Sequence, residues 1–155
     1  PQDGQVLIKV HAASVSYGDL LARNMGNVTS SEFNMPLPLL LPSRMAFGWS
    51  KPKVNILGSE FAGEVEAIGS AVTRFKPGDA VMGYLGQRMG AYAEYVCIAE
   101  TGAVARKPAS MSYAEAATVP YGALMATSLL RHGHIQPGHK VLIDHRALFI
   151  EIGHP

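Results

Sequence analysis

Alternation of apolar and polar positions predicts several short strands in the first two thirds of the chain. The clearest case is the segment from Gly58 to Gly69, where apolar Val65 and Ala67 alternate with Glu64 and Glu66. A period of two with one charged side is typical of a strand that has one face in water. The predicted strands are Val6–Ala12, one within Gly58–Gly69, Ala80–Tyr84 and Ala91–Ala99.

Glycine and proline residues mark the turns between these strands. Pro77 fixes φ at the second position of a turn, and Gly78 supplies the positive φ that a type II turn needs at the third. A second group of glycines (Gly83, Gly86 and Gly90) surrounds Arg88 and could suggest a phosphate cradle. A hairpin loop is the favoured interpretation, because no helix start follows to supply a dipole. Short strands at these spacings favour a small, partly closed barrel.

Helical signals appear at both ends of the chain. Ser16–Arg23 predicts a turn followed by a helical turn, with Leu20 and Leu21 facing inward, and an irregular segment then runs from Asn24 to Asn55. Ser112 and Glu115 have the spacing of a capping box, which predicts a short helix that ends before Pro120. A second helix, Tyr121–His132, and a buried strand, Lys140–Ile143, follow.

The expected fold class is α+β, in three parts. A β-barrel occupies residues 1–111, a helical connector and the first strand of a further sheet occupy 112–143, and a tail of different character occupies 144–155.

Composition argues against nucleic acids and membranes as partners. The net charge is +1 with no run of like charges, and the apolar stretch around Met35–Leu41 is broken by Pro36 and Pro38. The one cysteine, Cys97, rules out an intrachain disulfide and favours a cytoplasmic setting. As a strand residue without a basic neighbour, Cys97 is expected to be inert.

Five stretches of the chain resemble, in order, a single protein family. They are VLIKVHAASVSYGDLLAR, ILGSEFAGEVEAIGSAVTRFKPGDAVMGY, GAYAEYVCI, KPASMSYAEAATVPYGALMATSLL and IQPGHKVLI. They resemble the medium-chain dehydrogenase/reductase superfamily, in its zinc-independent quinone-oxidoreductase-like branch. The resemblance implies the GroES-like, partly open β-barrel of the family's catalytic domain. It also implies reduction of small quinones, enones or related carbonyls with NADPH or NADH.

The same resemblance implies that no zinc is bound. Zinc-dependent relatives place a cysteine in the loop that Val15, Ser16 and Tyr17 occupy here, and a histidine at the position of Ser59. A catalytic zinc needs about three protein ligands, and these two are missing. The six histidines share no ligand spacing.

By resemblance, the loop from Ser16 to Asp19 lines the nicotinamide side of a cleft. Ser16 takes the place of an asparagine that donates to the substrate carbonyl or to the nicotinamide amide, and Tyr17 and Asp19 are the other catalytic candidates. A hydroxyl donor there would stabilise a developing enolate or alkoxide. The alternative for Asp19 is a turn or N-cap residue.

Further residues are predicted to contact the cofactor or the substrate. Ser16, Asp19 and Met125, which replaces a threonine found in many relatives, are the predicted cofactor contacts. Ser59, Glu60 and Tyr121 are the predicted substrate pocket. For Glu60, a structural hydrogen-bond acceptor is the slightly favoured alternative.

The sequence after Ile143 reads DHRALFIEIGHP, without the glycine-rich loop that binds pyrophosphate in a dinucleotide fold. The isolated chain is therefore expected to bind neither NADPH nor NADH and to be inactive. The alternative is a non-catalytic module, or the product of a rearranged gene. Such a module would associate through the strand Lys140–Ile143 and the helix Tyr121–His132, and a clean monomer in sedimentation analysis would count against it.

Overall fold

A computed structural model describes residues 1–24, 53–134, 140–143 and 150–153, together with positions 38, 41, 42, 45 and 48. Most of the irregular segment predicted from Asn24 to Asn55 lies outside the described residues.

Five antiparallel strands form the main sheet, in the order β4-β1-β2-β3-β5. The strands are β1 (Gln5–Ala13), β2 (Glu60–Ile68), β3 (Ala80–Tyr84), β4 (Tyr95–Ala99) and β5 (Val104–Arg106). The sheet curls into the half-barrel of a GroES-like fold, so the predicted α+β class with a partly open barrel is confirmed. The predicted turn is also present, since Gly78 has φ of 88°.

The core lies on the inner face of this curled sheet. Its largest fully buried side chains are Phe61, Ile8, Val6, Val65 and Val81. They come from neighbouring strands, because β1 pairs with β2 and β2 with β3. Burial of apolar surface, at about 25 cal/mol per Å², therefore stabilises the curled sheet.

Two strand predictions need correction. The strand predicted over Ala91–Ala99 begins only at Tyr95. The Glu94 carbonyl still accepts the Val10 N–H of β1 (2.8 Å), but before Glu94 the chain pairs elsewhere, because the N–H groups of Ala91 and Tyr92 donate to the carbonyls of Gly58 and Leu57 (both 3.0 Å). The three-residue strand β5 was not predicted, since three residues are too few to show an alternation.

The helix α1 (Tyr17–Arg23) corrects a further prediction. Leu20, expected to face inward, has 51% of its surface exposed, whereas Asp19 and Ala22 are buried. The helix therefore buries a carboxylate instead of a leucine.

The capping box predicted at Ser112 is confirmed at the start of α2 (Tyr113–Ala116). The Glu115 N–H donates to Ser112 Oγ (3.2 Å), and the Ser112 N–H donates to Glu115 Oε2 (2.8 Å). The next helix, α3, runs over Pro120–His132, one residue earlier than predicted. Proline suits the first helical position because its missing N–H would have no partner there.

The cap at α2 predicts a pH dependence of stability. Hydrogen bonds from the Ser112 backbone and hydroxyl lower the pKa of Glu115 below its ordinary 4.5. A lowered pKa contributes stability that is present above pH 4.5 and is lost as the pH falls through the folded-state value. Glu115→Gln should therefore lower the melting temperature at neutral pH, and the difference from the parent chain should shrink as the medium becomes acidic. Thermal melts at several pH values test this, with the exposed Glu66→Gln as control; a difference independent of pH would contradict it.

Two compact units divide the chain, Pro1–Pro120 and Tyr121–Pro155. The second unit contains a two-stranded antiparallel sheet of β6 (Lys140–Ile143) and β7 (Ile150–Gly153). The strand predicted at Lys140–Ile143 is thus confirmed, while the three predicted domain boundaries stay predictions. In the part of the chain that the structure describes, no helix is long and apolar enough to cross a membrane.

Candidate active site

The first element of the site is a capping box at the start of α1. Ser16 is the N-cap, and its Oγ accepts the Asp19 N–H (3.3 Å). In return, Asp19 Oδ2 accepts both the Ser16 N–H (2.9 Å) and the Ser16 hydroxyl proton (2.8 Å). Asp19 is therefore the third helical residue of the cap and not the N-cap itself. The hydroxyl proton that would serve a substrate is directed at Asp19 in this arrangement.

Asp19 is only 2% exposed, an unusual position for a carboxylate. Its Oδ1 is buried and has no hydrogen-bond partner among the residues that the structure describes. All of the hydrogen bonding that this side chain receives therefore arrives at one oxygen, from one serine.

The second element is the start of β2, where Ser59 and Glu60 are 8% and 5% exposed. The hydroxyl of Ser14, just beyond β1, donates to Glu60 Oε2 (2.7 Å). The carbonyl of Ser59 accepts the Leu85 N–H (2.7 Å). The register places these residues together, since Ala13 pairs with Phe61. In this geometry Glu60 acts as a hydrogen-bond acceptor.

Tyr92 is a third element, which the sequence alone did not point to. Its hydroxyl donates to the Ser14 carbonyl (3.1 Å), and its ring lies against Gly58, where an added Cβ would stand 2.5 Å from the ring Cδ1. Gly58 has φ of 91°, so this close approach and this backbone both require glycine. Burial, together with the nearby negative charge of Asp19, raises the pKa of Tyr92 to about 12.

Tyr92 therefore links the two carboxylate-bearing elements. Its hydroxyl lies near Asp19 on α1 and contacts the backbone of Ser14, whose side chain holds Glu60. The sequence contained one indication of this position. Tyr92 is separated from the core residues Val96 and Ile98 by an even number of positions, so a continuous strand would place all three on one face.

An open groove borders this cluster, with a volume of about 440 Å³. It is formed by the end of β1 and by the segment before β4, with the lining residues Val10, His11, Ala12, Ala13, Ala91, Tyr92, Ala93 and Glu94. Its wall is mostly small and apolar, which suits a flat apolar ligand.

The remaining predicted site residues are Tyr17, Tyr121 and Met125. Tyr17 is the first residue of α1 and is 64% exposed. Tyr121 (46% exposed) and Met125 lie on α3, in the second unit. The structure brings Ser16, Asp19, Ser59 and Glu60 together with Ser14 and Tyr92 in the first unit, while the functional roles predicted for all these residues stay predictions.

The donor groups of the cluster do not suit zinc. Zinc in proteins prefers cysteine sulfur and histidine nitrogen, and this cluster offers hydroxyls and two carboxylates. Within the described ranges, no group of three or more histidine, cysteine, aspartate or glutamate residues could hold a metal ion.

Comparison with known proteins now identifies the fold family. Residues 2–109 match the family model "Alcohol dehydrogenase GroES-like domain". The chain belongs to this family. The predicted membership of the medium-chain dehydrogenase/reductase superfamily is thereby confirmed, and relatives of this GroES-like domain are oxidoreductases.

Three relatives illustrate the match. A quinone oxidoreductase of Pseudomonas aeruginosa is 43% identical over 91 residues, which cover 59% of this chain and 27% of the relative. The structure of the quinone oxidoreductase from Coxiella burnetii has a TM-score of 0.64 at 30% identity, over 89% of this chain and 39% of its own. The Escherichia coli quinone oxidoreductase complexed with NADPH has a TM-score of 0.59 at 25% identity, over 86% and 34%. The chain thus spans between about a quarter and two fifths of these relatives.

Proposed function

We propose that this chain supplies the substrate-binding part of a zinc-independent oxidoreductase that uses NADPH or NADH to reduce quinones, enones or related carbonyls. The observation that carries the proposal is the Ser14–Glu60 hydrogen bond of 2.7 Å. It satisfies a buried carboxylate with a hydroxyl at the place where zinc-dependent relatives bind their metal. In this proposal a carbonyl substrate is activated by hydroxyl protons and not by a Lewis acid.

The cofactor would supply the hydride, and this chain would supply position and protons. Hydride addition leaves negative charge on the substrate oxygen, which a fixed donor stabilises. Two hydroxyls could donate, that of Tyr92, which lines the groove, and that of Ser16, which caps α1. The raised pKa of Tyr92, about 12, keeps its proton in place at neutral pH.

The remaining predicted roles fit this proposal as follows. Tyr17 and Asp19 would stand beside the reacting carbonyl, with Ser59 and Glu60 behind it. Met125 would contact the nicotinamide and Tyr121 the substrate. Pyrophosphate binding needs a glycine-rich loop at a helix N-terminus, and the residues after β6 include no early glycine. The 155 residues by themselves should therefore bind substrate but not NADPH, and self-association stays a separate prediction.

Titration of the isolated chain with menadione, followed by backbone NMR, tests the proposal. The quinone should shift the amide signals of Ser14, Ser59 and Tyr92, while NADPH causes no saturable change at micromolar concentration. Ser16→Ala should weaken quinone binding about tenfold, the value of one hydrogen bond to a ligand. Ser70→Ala, at an exposed serine that bonds Asp3, is the matched control.

Three results would contradict the proposal. Quinone shifts confined to other parts of the chain would refute the site. Equal weakening by Ser16→Ala and Ser70→Ala would refute the role of Ser16. Micromolar binding of NADPH would refute the claim that these 155 residues bind the substrate but not the cofactor.

A further inference from the structure

The groove beside the site is a gap between two extended segments of the chain. Their last hydrogen bond runs from the Val10 N–H of β1 to the Glu94 carbonyl (2.8 Å), and beyond it the Tyr92 N–H donates to the Leu57 carbonyl instead (3.0 Å). Half of the residues that line the gap are alanines, so little side-chain volume fills it: Ala12, Ala13, Ala91 and Ala93. The result is an open slot of about 440 Å³, within the range of about 300–1,000 Å³ that is typical of small-molecule sites.

His11 is the extra residue of a bulge in β1, at the edge of this slot. The register between β1 and β2 pairs Val10 with Gly63 and Ala12 with Ala62, so it skips His11. A β-bulge of this kind redirects a side chain and is common beside functional sites. Here the redirected side chain is exposed and lines the groove.

The imidazole of His11 is held in place by an aromatic ring of α2. It is stacked on the ring of Tyr113, with 4.5 Å between the ring centroids and 27° between the planes. Tyr113 is fixed in turn, because it is the first residue of the capped helix and its ring centroid lies 5.2 Å from Lys107 Nζ. That ammonium group also donates to the Pro108 carbonyl (3.0 Å). A side chain that is already held in this way loses little rotamer freedom when a ligand packs against it.

Glu94 gives the slot a negative charge. Its side chain is exposed and lines the groove, and it takes part in no salt bridge with the residues that the structure describes. Neither lysine nor arginine is among the described residues that line the groove. An anionic ligand would therefore meet an uncompensated like charge, whereas an uncharged ligand would not.

We propose that His11 and Glu94 make the groove specific for the flat ring of an uncharged aromatic compound. The ligand ring stacks on the part of the imidazole that Tyr113 leaves free, and aromatic rings attract one another in this arrangement beyond the area that they bury. Glu94 excludes ligands that carry a negative charge beside the ring. The inference rests on the proposed function only for the identity of the compound, a quinone, because the slot would take the same ring without its carbonyl groups.

Two ligands separate stacking from recognition of a carbonyl. Dimethoxynaphthalene is flat and uncharged but has no carbonyl group, whereas decalone is a saturated, puckered ketone of similar size. His11→Phe keeps a ring at the exposed position, and His11→Leu keeps apolar volume without a ring. Dimethoxynaphthalene should bind the Phe variant as it binds the parent chain and the Leu variant about fivefold more weakly. Decalone should not distinguish the two variants. Backbone NMR titration measures both affinities and should show shifts at the Ala12 and Ala93 amides.

A charged ligand tests the role of Glu94. Naphthalenesulfonate has the same flat ring with a negative charge, so it should bind the parent chain more weakly than dimethoxynaphthalene does. Glu94→Gln should raise its affinity about threefold at low ionic strength, the effect of one exposed unit charge a few ångströms away, and the gain should shrink as salt is added. The affinity for dimethoxynaphthalene should stay the same. Glu66→Gln, at an exposed glutamate of β2, is the control and should change neither affinity.

The outcomes separate this inference from the proposed function. Equal affinities of His11→Phe and His11→Leu for dimethoxynaphthalene, or no shift at the groove amides, would overturn the inference, and an unchanged sulfonate affinity in Glu94→Gln would remove the role of Glu94. None of these measurements uses a quinone or a cofactor. If menadione does not bind while dimethoxynaphthalene binds as expected, the proposed function is refuted and the specificity of the groove for flat, uncharged rings is still supported.

Discussion

Replacement of Gly63 by alanine is expected to destabilise the barrel by about 3 kcal/mol or more, the upper range for forcing a group into a packed interior. Gly63 lies in β2 opposite Val10 of β1. A Cβ at this position would stand 2.1 Å from the Lys9 carbonyl oxygen and 3.0 Å from Ile8 Cγ2. The obstacle is backbone, so no rotation of a side chain relieves it. The two strands can separate only by breaking the hydrogen bonds that hold them about 4.8 Å apart.

Urea unfolding followed by circular dichroism measures the loss in Gly63→Ala. Gly4→Ala is the matched control, because a Cβ at Gly4 meets no atom within 4 Å, and its stability should stay close to that of the parent chain. An unfolding midpoint for Gly63→Ala within error of the control would show that β1 and β2 are not packed as described.

Phe61→Ala is also expected to have a large effect, a loss of about 3–5 kcal/mol. The Phe61 ring is fully buried and fills the space above Gly83, where an added Cβ would stand 2.6 Å from its Cζ. A cavity would therefore open at the centre of the core. Because Phe61 follows Glu60 and pairs with Ala13, loosening here should also lengthen the Ser14–Glu60 hydrogen bond.

The same urea titration measures this loss, and hydrogen exchange at the Leu85 amide, which bonds the Ser59 carbonyl, reports on the site. Phe61→Leu is the conservative control, since it keeps most of the apolar volume and should lose much less stability. A loss below about 1 kcal/mol for Phe61→Ala would mean that the ring is not part of the core.

Much of the fold could be predicted because it depends on residues that are close together in the sequence. The alternation around Val65, the turn at Pro77 and Gly78, and the capping box at Ser112 each depend on neighbours within a few positions, and all three are present. The capping box at Ser16 and Asp19 has the same spacing with aspartate in place of glutamate. It could have been predicted by the rule that found the one at Ser112.

The arrangement of the candidate site could not be predicted in this way. The residues from Ala91 to Glu94 do alternate as a strand would, but the backbone N–H of Tyr92 donates to the carbonyl of Leu57, just before β2, and not to β1. The burial of Asp19 in place of Leu20 could not be predicted from the sequence either, because it depends on which residues of the barrel pack against α1. Both are tertiary effects that override local preference.

The hydrogen bond from Tyr92 to Ser14 has a consequence for how the chain folds. It joins residues 78 positions apart, and the bond from Ser14 to Glu60 joins residues 46 apart. Contacts of such long sequence separation require closure of large loops, which is slow, whereas the capping box of Ser16 and Asp19 can form within its own helix. The serine and aspartate should therefore meet early during folding, and the tyrosine should arrive only when the barrel closes. Ligand-binding competence would then appear in the last kinetic phase of refolding, together with the core.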